Sequence, residues 1–404
     1  LGSMFIPLME VDSVQYANIS REMLQNKSFL QIFDQGSDYL DKPPMLFWSS
    51  AISMYLFGIN DFAFRIPSIL MAILAIYSTY KFTLIYYSSE IAGLAALILA
   101  STQAMFLITH DVRTDTMLMA WVILSIWQFA NWLNNRKWSS LIIAFSAVAF
   151  GMMTKGPIAL MVPVFSFAPH LIMHRNFKML FRWEYLVGIV IIIILLIPMD
   201  IGLYQQFDLH PEKVMYEKTG TSGLRFFYWT QSFGRITGES VWHENDEFLF
   251  LFQNLLWGFL PWTLFLILGL ISECTKIIRT KFSLNKNEEW IVLPGFLITY
   301  TALGISNYQL PHYIYVVLPF TAIIAAKSIY NILIKWENNI LKTIINGVNI
   351  FIYFLVLSIL LVLLLFTFNT IIYLVIAIAT IAGVGSTFTE SFPTGASLEI
   401  KLNI

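Results

Sequence analysis

Long apolar segments separated by short polar ones constrain the fold of this chain more than any other feature. A helix needs roughly 20 apolar residues to cross about 30 Å of hydrocarbon. The stretches that approach or meet this length are 63–86, 91–108, 115–134, 138–152, 156–173, 185–204, 249–271, 290–305, 312–330, 341–367 and 370–385. The sequence therefore predicts an all-α polytopic membrane protein with about 11 transmembrane helices.

Composition supports this prediction and excludes several classes of protein. Hydrophobic residues make up 57% of the chain and charged residues 12%, whereas a soluble domain is about 25% charged. The net charge of −1 argues against nucleic acid as a partner. The single cysteine, Cys274, excludes an intrachain disulfide and a thiolate metal cluster.

The distribution of basic residues predicts the orientation of the spans, because short loops rich in Lys and Arg prefer the cytoplasm. If the predicted spans alternate, the basic loops at 136–137, 175–182, 276–286 and 335–342 all lie on one side. The polar motifs then lie together on the opposite, external side of the membrane.

We predict one transmembrane domain over 1–385, with a first external loop at 9–62 and a long external loop at 205–247. Within the first loop, 43-PPMLFWSSAISMYLFG-58 is too short to span and suits a helix lying in the interface. The polar segment 386–404 suits a C-terminal tail. We expect truncation at both ends, since the opening LGSMFIPLMEVD resembles the end of a span.

The first external loop contains Asp12, which begins a helical pattern near the membrane edge. One interpretation is an N-cap, because Gln15 follows at the spacing of a capping box. The other is a functional carboxylate, since Tyr16 and Ser20 extend a polar stripe along the same helix face. Such a carboxylate suits a general base that acts on an acceptor hydroxyl or phosphate.

The segment 41-DKPP-44 places Lys42 beside a predicted helix start. Pro43 disfavours the α conformation for Lys42, and the free N–H groups and dipole of a helix start favour an anion. A phosphate-binding lysine and a lysine that only pairs with Asp41 are equally compatible with this pattern.

Two further charged residues adjoin apolar runs on the same predicted side. Asp115 begins an apolar run, so it either caps that helix or has a functional role near the hydrocarbon boundary. Lys155 in 154-TKGP-157 is either a turn residue or a second cation near the external face.

Together these segments resemble the GT-C glycosyltransferases of the dolichyl-phosphate-mannose protein mannosyltransferase superfamily. They look most like the bacterial branch that includes the aminoarabinose transferase of lipid A. The resemblance covers residues 9–330, and its pieces occur in the order of the family. The matching pieces are 12-DSVQYANISREML-24, 41-DKPP-44, 57-FGINDFAFRIPS-68, 113-RTDTML-118, 154-TKG-156, 233-FGRITG-238, 258-GFLPWT-263 and 309-QLPHYIYVVLP-319.

The resemblance implies an integral membrane enzyme that uses a polyprenyl-phosphate-linked sugar. It implies a bacterial inner (plasma) membrane, with the active site on the periplasmic or external face. Asp12 matches the catalytic aspartate of the family, and Asp115 matches its aspartate at the start of a later span. Lys42, after Asp41, matches the lysine next to the lipid phosphate, and Arg235 matches the arginine of the FGR motif.

Three features depart from the family pattern. Ser13 stands where relatives commonly have Glu, so the role of that Glu is vacant or moved. Gln231 and Ser232 stand where many relatives have a histidine before the FGR motif, which removes a matching metal ligand. The chain also lacks the cytoplasmic start and the complete first span that are usual in the family.

We prefer a site without a metal cofactor. The alternative is a divalent cation bound by Asp41. The acidic segment 242-WHENDE-247 is interpreted as solvated rather than as a cation site. His110 and His312 lack a regular ligand spacing, so we assign them no metal. Arg65 is interpreted mainly as an interfacial anchor.

A glycosyl phosphate already has a good leaving group, so transfer requires a base for the acceptor and cations for the departing phosphate. We assign Asp12 as the base, with Lys42 and Arg235 stabilising the phosphate. Asp115 orients the sugar or the acceptor. One displacement inverts the anomeric centre. Three further residues support the site: Asp41, Tyr16 and Lys155.

The predicted function is a membrane glycosyltransferase, a hexosyl- or pentosyltransferase that modifies lipid A, a protein or a cell-surface glycan. The alternative is a polyprenyl-lipid binding protein or a lipid transporter without transferase activity. Transporters typically show internal repeats and broken helices near the membrane midplane. The sequence shows no such repeat and places its charges at one face, which disfavours transport.

Overall fold

The structure is a computed structural model. It describes residues 8, 11–237, 239, 249–280, 288–306 and 308–332, together with scattered positions between 343 and 358. The chain divides into two units, Leu1–Trp336 and Glu337–Ile404. The second unit is described only at those scattered, helical positions. The predicted spans 341–367 and 370–385 and the tail 386–404 therefore lie largely outside the described residues, and the boundary at 385 stays a prediction.

The described part of the first unit is almost entirely helical. Its helices are α1 (Val11–Asn26), α2 (Met45–Phe57), α3 (Asp61–Tyr86), α4 (Ser89–Ser101), α5 (Gln103–His110), α6 (Thr114–Asn135), α7 (Trp138–Lys155), α8 (Ile158–Met173), α9 (Phe177–Leu180), α10 (Glu184–Leu203), α11 (Gly223–Arg225), α12 (Gly234–Thr237), α13 (Phe250–Gly258), α14 (Thr263–Arg279), α15 (Val292–Gly304) and α16 (Leu318–Tyr330). The π-helical turns Tyr204–Asp208 and Phe226–Thr230 follow α10 and α11, and the 3-10 segment Pro311–Val317 precedes α16. Two short antiparallel hairpins pair β1 (Phe33–Asp34) with β2 (Ser37–Asp38), and β3 (Val214–Met215) with β4 (Lys218–Thr219).

Five described segments are long and apolar enough to cross a membrane: Asp61–Tyr86, Thr114–Asn135, Trp138–Lys155, Phe177–Asp208 and Pro311–Tyr330. Two bent helix pairs raise this number to 7 if each pair is one span. The predicted all-α membrane fold is therefore confirmed for the described residues, whereas the number of 11 helices is not.

Two predicted spans are not continuous helices. The predicted span 91–108 bends by 51° between α4 and α5, where Thr102 caps α5 by accepting from the Met105 N–H. The predicted span 249–271 bends by 118° between α13 and α14. Pro261 lies at that break, and proline cannot donate the backbone hydrogen bond that a continuous helix requires.

The centre of the bundle lies around α6 and α16. α6 packs between α3 and α7, and α16 packs against α4 and α14. Of the five candidate spans, Pro311–Tyr330 and Thr114–Asn135 are the most buried, and Phe177–Asp208 is the most exposed. Asp115 and His312, which stand near the starts of the two most buried spans, are therefore held in the interior.

The first loop forms a compact layer at one end of these spans. α1 packs on α2, and α2 packs on the beginning of α3. Phe47 lies between Tyr16 and Tyr39, with edge-to-face ring centroids 5.7 and 5.8 Å away. The helix predicted after the Pro43–Pro44 pair is confirmed as α2, whose last turn exposes large apolar side chains.

Residues at the end of α10 and in the π-helical turn that follows it contact the first loop. Gln206 forms two hydrogen bonds with the backbone of Ile32, and its Nε2 also donates to Asp38 Oδ1 at 2.9 Å. The backbone approaches closely here, because a Cβ atom on Gly202 would lie 2.1 Å from the Leu30 carbonyl oxygen. The described parts of the two polar loops are therefore joined by direct contacts.

Candidate active site

A cavity of about 120 Å³ lies between α6, α7, α8, α15 and the two polar loops. Its charged lining residues are Lys42, Asp115 and Lys155. Most of the remaining lining is apolar, and α8 and α15 contribute Ile158, Met161, Phe165, Ala302 and Leu303 to it. The cavity thus combines two cations and one carboxylate with a mainly apolar wall.

Asp115 lies in the first turn of α6 and only 4% of its side chain is exposed. Lys155 Nζ is 2.5 Å from Asp115 Oδ1, and His312 Nε2 is 3.7 Å from Oδ2. Lys155 also lies over the ring of Tyr313, with Nζ 4.2 Å from the ring centroid. Asp115 therefore pairs across the bundle rather than serving only as a helix cap.

The local sequence explains the position of Lys155. α7 ends at Lys155 because Gly156 adopts a φ of 92°, which L side chains rarely adopt. A Cβ atom on Gly156 would also lie 3.3 Å from Ser232 Oγ. Lys155 is thus the last residue of a helix, not a turn residue, and its side chain reaches the start of α6.

Lys42 lies at the cavity and also pairs with Asp41, and its phosphate-binding role stays a prediction. It lines the cavity just before α2, for which Pro44 is the N-cap residue. Its Nζ is also 2.7 Å from Asp41 Oδ2. Gln231 Nε2 donates to the Asp41 backbone carbonyl oxygen and to Asp41 Oδ1, the latter at 3.0 Å. Lys42 is close enough to Asp115 for the two charges to interact.

Asp12 belongs to a second cluster beside this cavity. Its side chain is 43% exposed, and Oδ2 is 2.5 Å from Arg113 Nη1. Arg113 Nε donates to the Asp111 carboxylate, and Ser13 Oγ donates to the same carboxylate. Burial would lower the pKa of Arg113, but Asp111 and Asp12 together raise it above its ordinary value. Arg113 is therefore a permanent cation between two carboxylates.

The capping box expected at the start of α1 does not form. The structure describes α1 from Val11 onward, which places Asp12 inside its first turn. Asp12 bonds to Arg113 instead, and Gln15 Nε2 donates to Asp34 Oδ2 at 2.7 Å. Partners outside α1 thus replace the local contacts of a capping box.

Tyr16 lies behind both clusters and connects them electrostatically. Burial is the largest cause that raises its pKa well above the ordinary value, and the charges of Asp12, Asp41 and Asp115 raise it further. The phenol therefore stays protonated at neutral pH and does not act as a base. The same interactions place these three carboxylates around one buried side chain.

Two of the predicted sites lie wholly or partly outside the described residues. Arg235 is in α12, but its side chain is outside the described part of the chain. The acidic segment 242–247 is not described. Among the residues that the structure describes, no group of three or more His, Cys, Asp or Glu side chains could hold a metal ion. Metal dependence stays untested.

Sequence reasoning assigned no site role to His312, Asp111 or Gln231. Each lies in a polar segment between apolar runs, which was the available signal. The partners that place them in the site are distant in sequence: Asp115 for His312, Ser13 for Asp111 and Asp41 for Gln231. The position of Arg65 differs from the interfacial location that the sequence analysis gave it. It is 2% exposed, and its Nη2 donates to the His110 carbonyl oxygen at 3.4 Å, so it is a buried residue rather than an interfacial anchor.

Comparison with known proteins confirms the predicted resemblance. Residues 41–201 match the family model described as dolichyl-phosphate-mannose-protein mannosyltransferase. The chain is 28% identical over 309 residues to the undecaprenyl phosphate-alpha-4-amino-4-deoxy-L-arabinose arabinosyl transferase of Yersinia pestis (strain Pestoides F), covering 75% of this chain and 53% of that protein. The protein of the same name from Wigglesworthia glossinidia brevipalpis is 28% identical over 354 residues, covering 84% and 58%. The chain thus spans about half the length of the curated relatives it matches.

The fold is also similar to that of a solved structure. The crystal structure of ArnT from Cupriavidus metallidurans bound to undecaprenyl phosphate matches with a TM-score of 0.66 and 19% sequence identity. The match covers 80% of this chain and 56% of that chain. The helical fold is therefore shared with that structure over 80% of this chain.

Proposed function

We propose that this chain acts as a membrane glycosyltransferase that moves a sugar from a polyprenyl-phosphate-linked donor to an acceptor. The observation that carries the proposal is the cavity itself. Lys42 and Lys155 provide positive charge at its polar part, and residues of α8 and α15 provide an apolar wall. A donor with a charged phosphate and a long apolar tail fits that combination.

Asp12 is proposed as the general base. It is more exposed than Asp115, at 43% against 4%, so an acceptor hydroxyl can reach it from water. In the reaction, the acceptor oxygen gives its proton to Asp12 and bonds to the anomeric carbon. The bond from that carbon to the phosphate oxygen breaks, and the electron pair leaves with the phosphate. A single displacement of this kind inverts the anomeric configuration.

Lys42 and Arg235 are proposed to stabilise the departing phosphate, because fixed cations act most strongly where negative charge develops. Lys155 adds a second positive charge within the cavity. Asp115 is proposed to orient the sugar or the acceptor, since Lys155 and His312 hold its two oxygens. Asp41 positions Lys42, and a divalent cation at Asp41 is retained as a separate hypothesis.

The names of the relatives support a particular sugar donor. Both relatives described above are named as arabinosyl transferases that use undecaprenyl phosphate-alpha-4-amino-4-deoxy-L-arabinose. We therefore place a pentose of this type first among donors and lipid A first among acceptors, with protein and surface glycan as alternatives. The proposed location is a bacterial inner membrane with the site facing the periplasm, as the basic loops indicate.

The test is donor turnover by the purified chain. It is incubated with a panel of undecaprenyl-phosphate sugars and acceptor membranes, and release of free undecaprenyl phosphate is measured. Wild type should release it, whereas Asp12→Asn should bind donor without release. NMR of the product should show an inverted anomeric centre; retention would rule out the single displacement. Donor binding without release in the wild type would favour a lipid-binding protein or transporter.

A further inference from the structure

Gln231 connects the two polar loops across the cavity. It belongs to the long loop, 205–247, whereas Asp41 and Lys42 belong to the first loop, 9–62. Its amide nitrogen donates to both the backbone carbonyl oxygen and the side chain of Asp41. Gln231 also lines the cavity together with Lys42.

The carboxylate of Asp41 is held at both oxygens by different residues. Gln231 Nε2 is 3.0 Å from Oδ1, and Lys42 Nζ is 2.7 Å from Oδ2. A lysine side chain is long and flexible, so a fixed carboxylate beside it restricts where its charge can lie. Gln231 thus orients Asp41, and Asp41 in turn orients Lys42 at the cavity wall.

The same segment approaches the second cation of the cavity. Gly156 follows Lys155, and a Cβ atom there would lie 3.3 Å from Ser232 Oγ and 4.0 Å from the Phe227 carbonyl oxygen. The chain from Phe227 to Ser232 therefore contacts the neighbours of both Lys42 and Lys155.

We propose that Gln231 is a positioning residue that holds the Asp41–Lys42 pair at the cavity wall. It thereby sets the affinity of the site for the phosphate end of a polyprenyl donor. The inference rests on the proposed function, and it assigns a role in donor binding to a neutral side chain that acts through Asp41 and Lys42.

The first test measures binding of undecaprenyl phosphate to the whole purified chain in detergent micelles. Gln231→Leu removes the amide donor and keeps the approximate size, so its dissociation constant should rise about tenfold, as expected for one lost hydrogen bond to a charged group. Gln205→Leu is the matched control, because Gln205 is an exposed glutamine of the same loop. The control should bind as tightly as the wild type.

A pH series with Gln231→Glu distinguishes positioning from a general structural role. Two facing carboxylates share a proton as the pH falls, and that proton restores a hydrogen bond to Asp41. Binding relative to the wild type should therefore be weak near pH 8 and recover towards about pH 5, which Gln231→Leu should not do. The dissociation constant of each variant is divided by that of the wild type at the same pH, so the titration of the phosphate of the probe affects both values and cancels.

The other groups that face Asp41 do not produce such a recovery. Among the residues that the structure describes, these groups include Lys42, its ion-pair partner, and the phenols of Tyr16, Tyr39 and Tyr216. Burial is the largest cause that raises the pKa of each phenol above its ordinary value, so none of the three titrates between pH 5 and pH 8.

A double-mutant cycle tests the route through Asp41. In an Asp41→Ala background, Gln231→Leu should cause a much smaller loss of binding, since the carboxylate it orients is gone and only its hydrogen bond to the backbone carbonyl of residue 41 remains to be lost. Equal binding by wild type and Gln231→Leu would overturn the inference and leave the proposed function intact. An undiminished loss in the Asp41→Ala background would show that Gln231 does not act through Asp41.

A wild type that does not bind the probe would overturn both the inference and the proposed function. If Gln231→Leu does not fold, the pH series decides.

Discussion

Lys155 Nζ lies 2.5 Å from Asp115 Oδ1 and joins the end of α7 to the beginning of α6 inside the bundle. The pair is nearly enclosed, with 15% of the lysine side chain and 4% of the aspartate side chain exposed. His312 faces the other carboxylate oxygen from the segment before α16. Three spans thus meet at one carboxylate, which lies in the wall of the cavity.

Removing Lys155 should destabilise the protein strongly. Lys155→Met leaves Asp115 buried without its ion-pair partner, which typically costs about 3–5 kcal/mol of unfolding free energy. Unfolding in mixed detergent micelles measures this loss, and Lys155→Met/Asp115→Asn should recover part of it. The matched control is Lys276→Met, whose exposed pair with Glu288 should contribute less than about 1 kcal/mol. Equal losses in the two single variants would contradict the buried pair.

Arg113→Lys should reduce turnover while donor binding is kept. The guanidinium binds Asp12 and Asp111 at once, and a lysine cannot reproduce that two-sided contact. A displaced base should lower kcat about tenfold to a hundredfold. Arg225→Lys is the control, because the contact of the Arg225 side chain within the described residues is an exposed, long one of 3.5 Å with Glu239. Unchanged turnover in Arg113→Lys would argue against Asp12 as the base.

His312→Phe should lower kcat with little change in KM for the donor. The ring faces Asp115 Oδ2, so its loss should let the carboxylate rotate without removing either cation of the cavity. We expect roughly a tenfold decrease in kcat. His210→Phe provides the control, since His210 is exposed and pairs with the exposed Glu212. A change confined to KM would assign His312 to donor binding instead.

Gly202→Ala should disturb the packing of the first loop against the end of α10. The added Cβ atom would lie 2.1 Å from the Leu30 carbonyl oxygen, so the backbone must move, at a cost of about 1–3 kcal/mol. Limited proteolysis of the first loop should become faster. Gly93→Ala has open space around it and should be neutral or slightly stabilising. Equal proteolysis of both variants would show that the close approach does not hold the loop.

Chelation should leave turnover unchanged. Both oxygens of the Asp41 carboxylate already accept hydrogen bonds, from Gln231 and Lys42, so a cation would have to displace them. Activity is measured after EDTA treatment and again after addition of Mn²⁺ or Mg²⁺. Loss with EDTA and recovery with either ion would instead establish a divalent cation as part of the site.

The sequence by itself determined the fold class and the principal site candidates. Apolar length predicts helices that span a membrane, because unpaired backbone groups cannot be left in hydrocarbon. The Pro43–Pro44 pair predicted the start of α2, which forms at Met45. The ordered motifs also predicted the resemblance that the family model confirms over residues 41–201.

Only the tertiary structure decided how the candidates are combined. Sequence spacing describes neighbours within a helix, so it offered a capping box as one interpretation of Asp12 and Gln15. Asp12 instead bonds to Arg113 before α6, and Gln15 bonds to Asp34 farther along the first loop. Lys155 and Asp115 are 40 positions apart, and Gln231 and Asp41 are 190 apart. Such pairs form because burying a charge without a partner costs more free energy than a local contact returns, and only the packing of helices determines which partner is within reach.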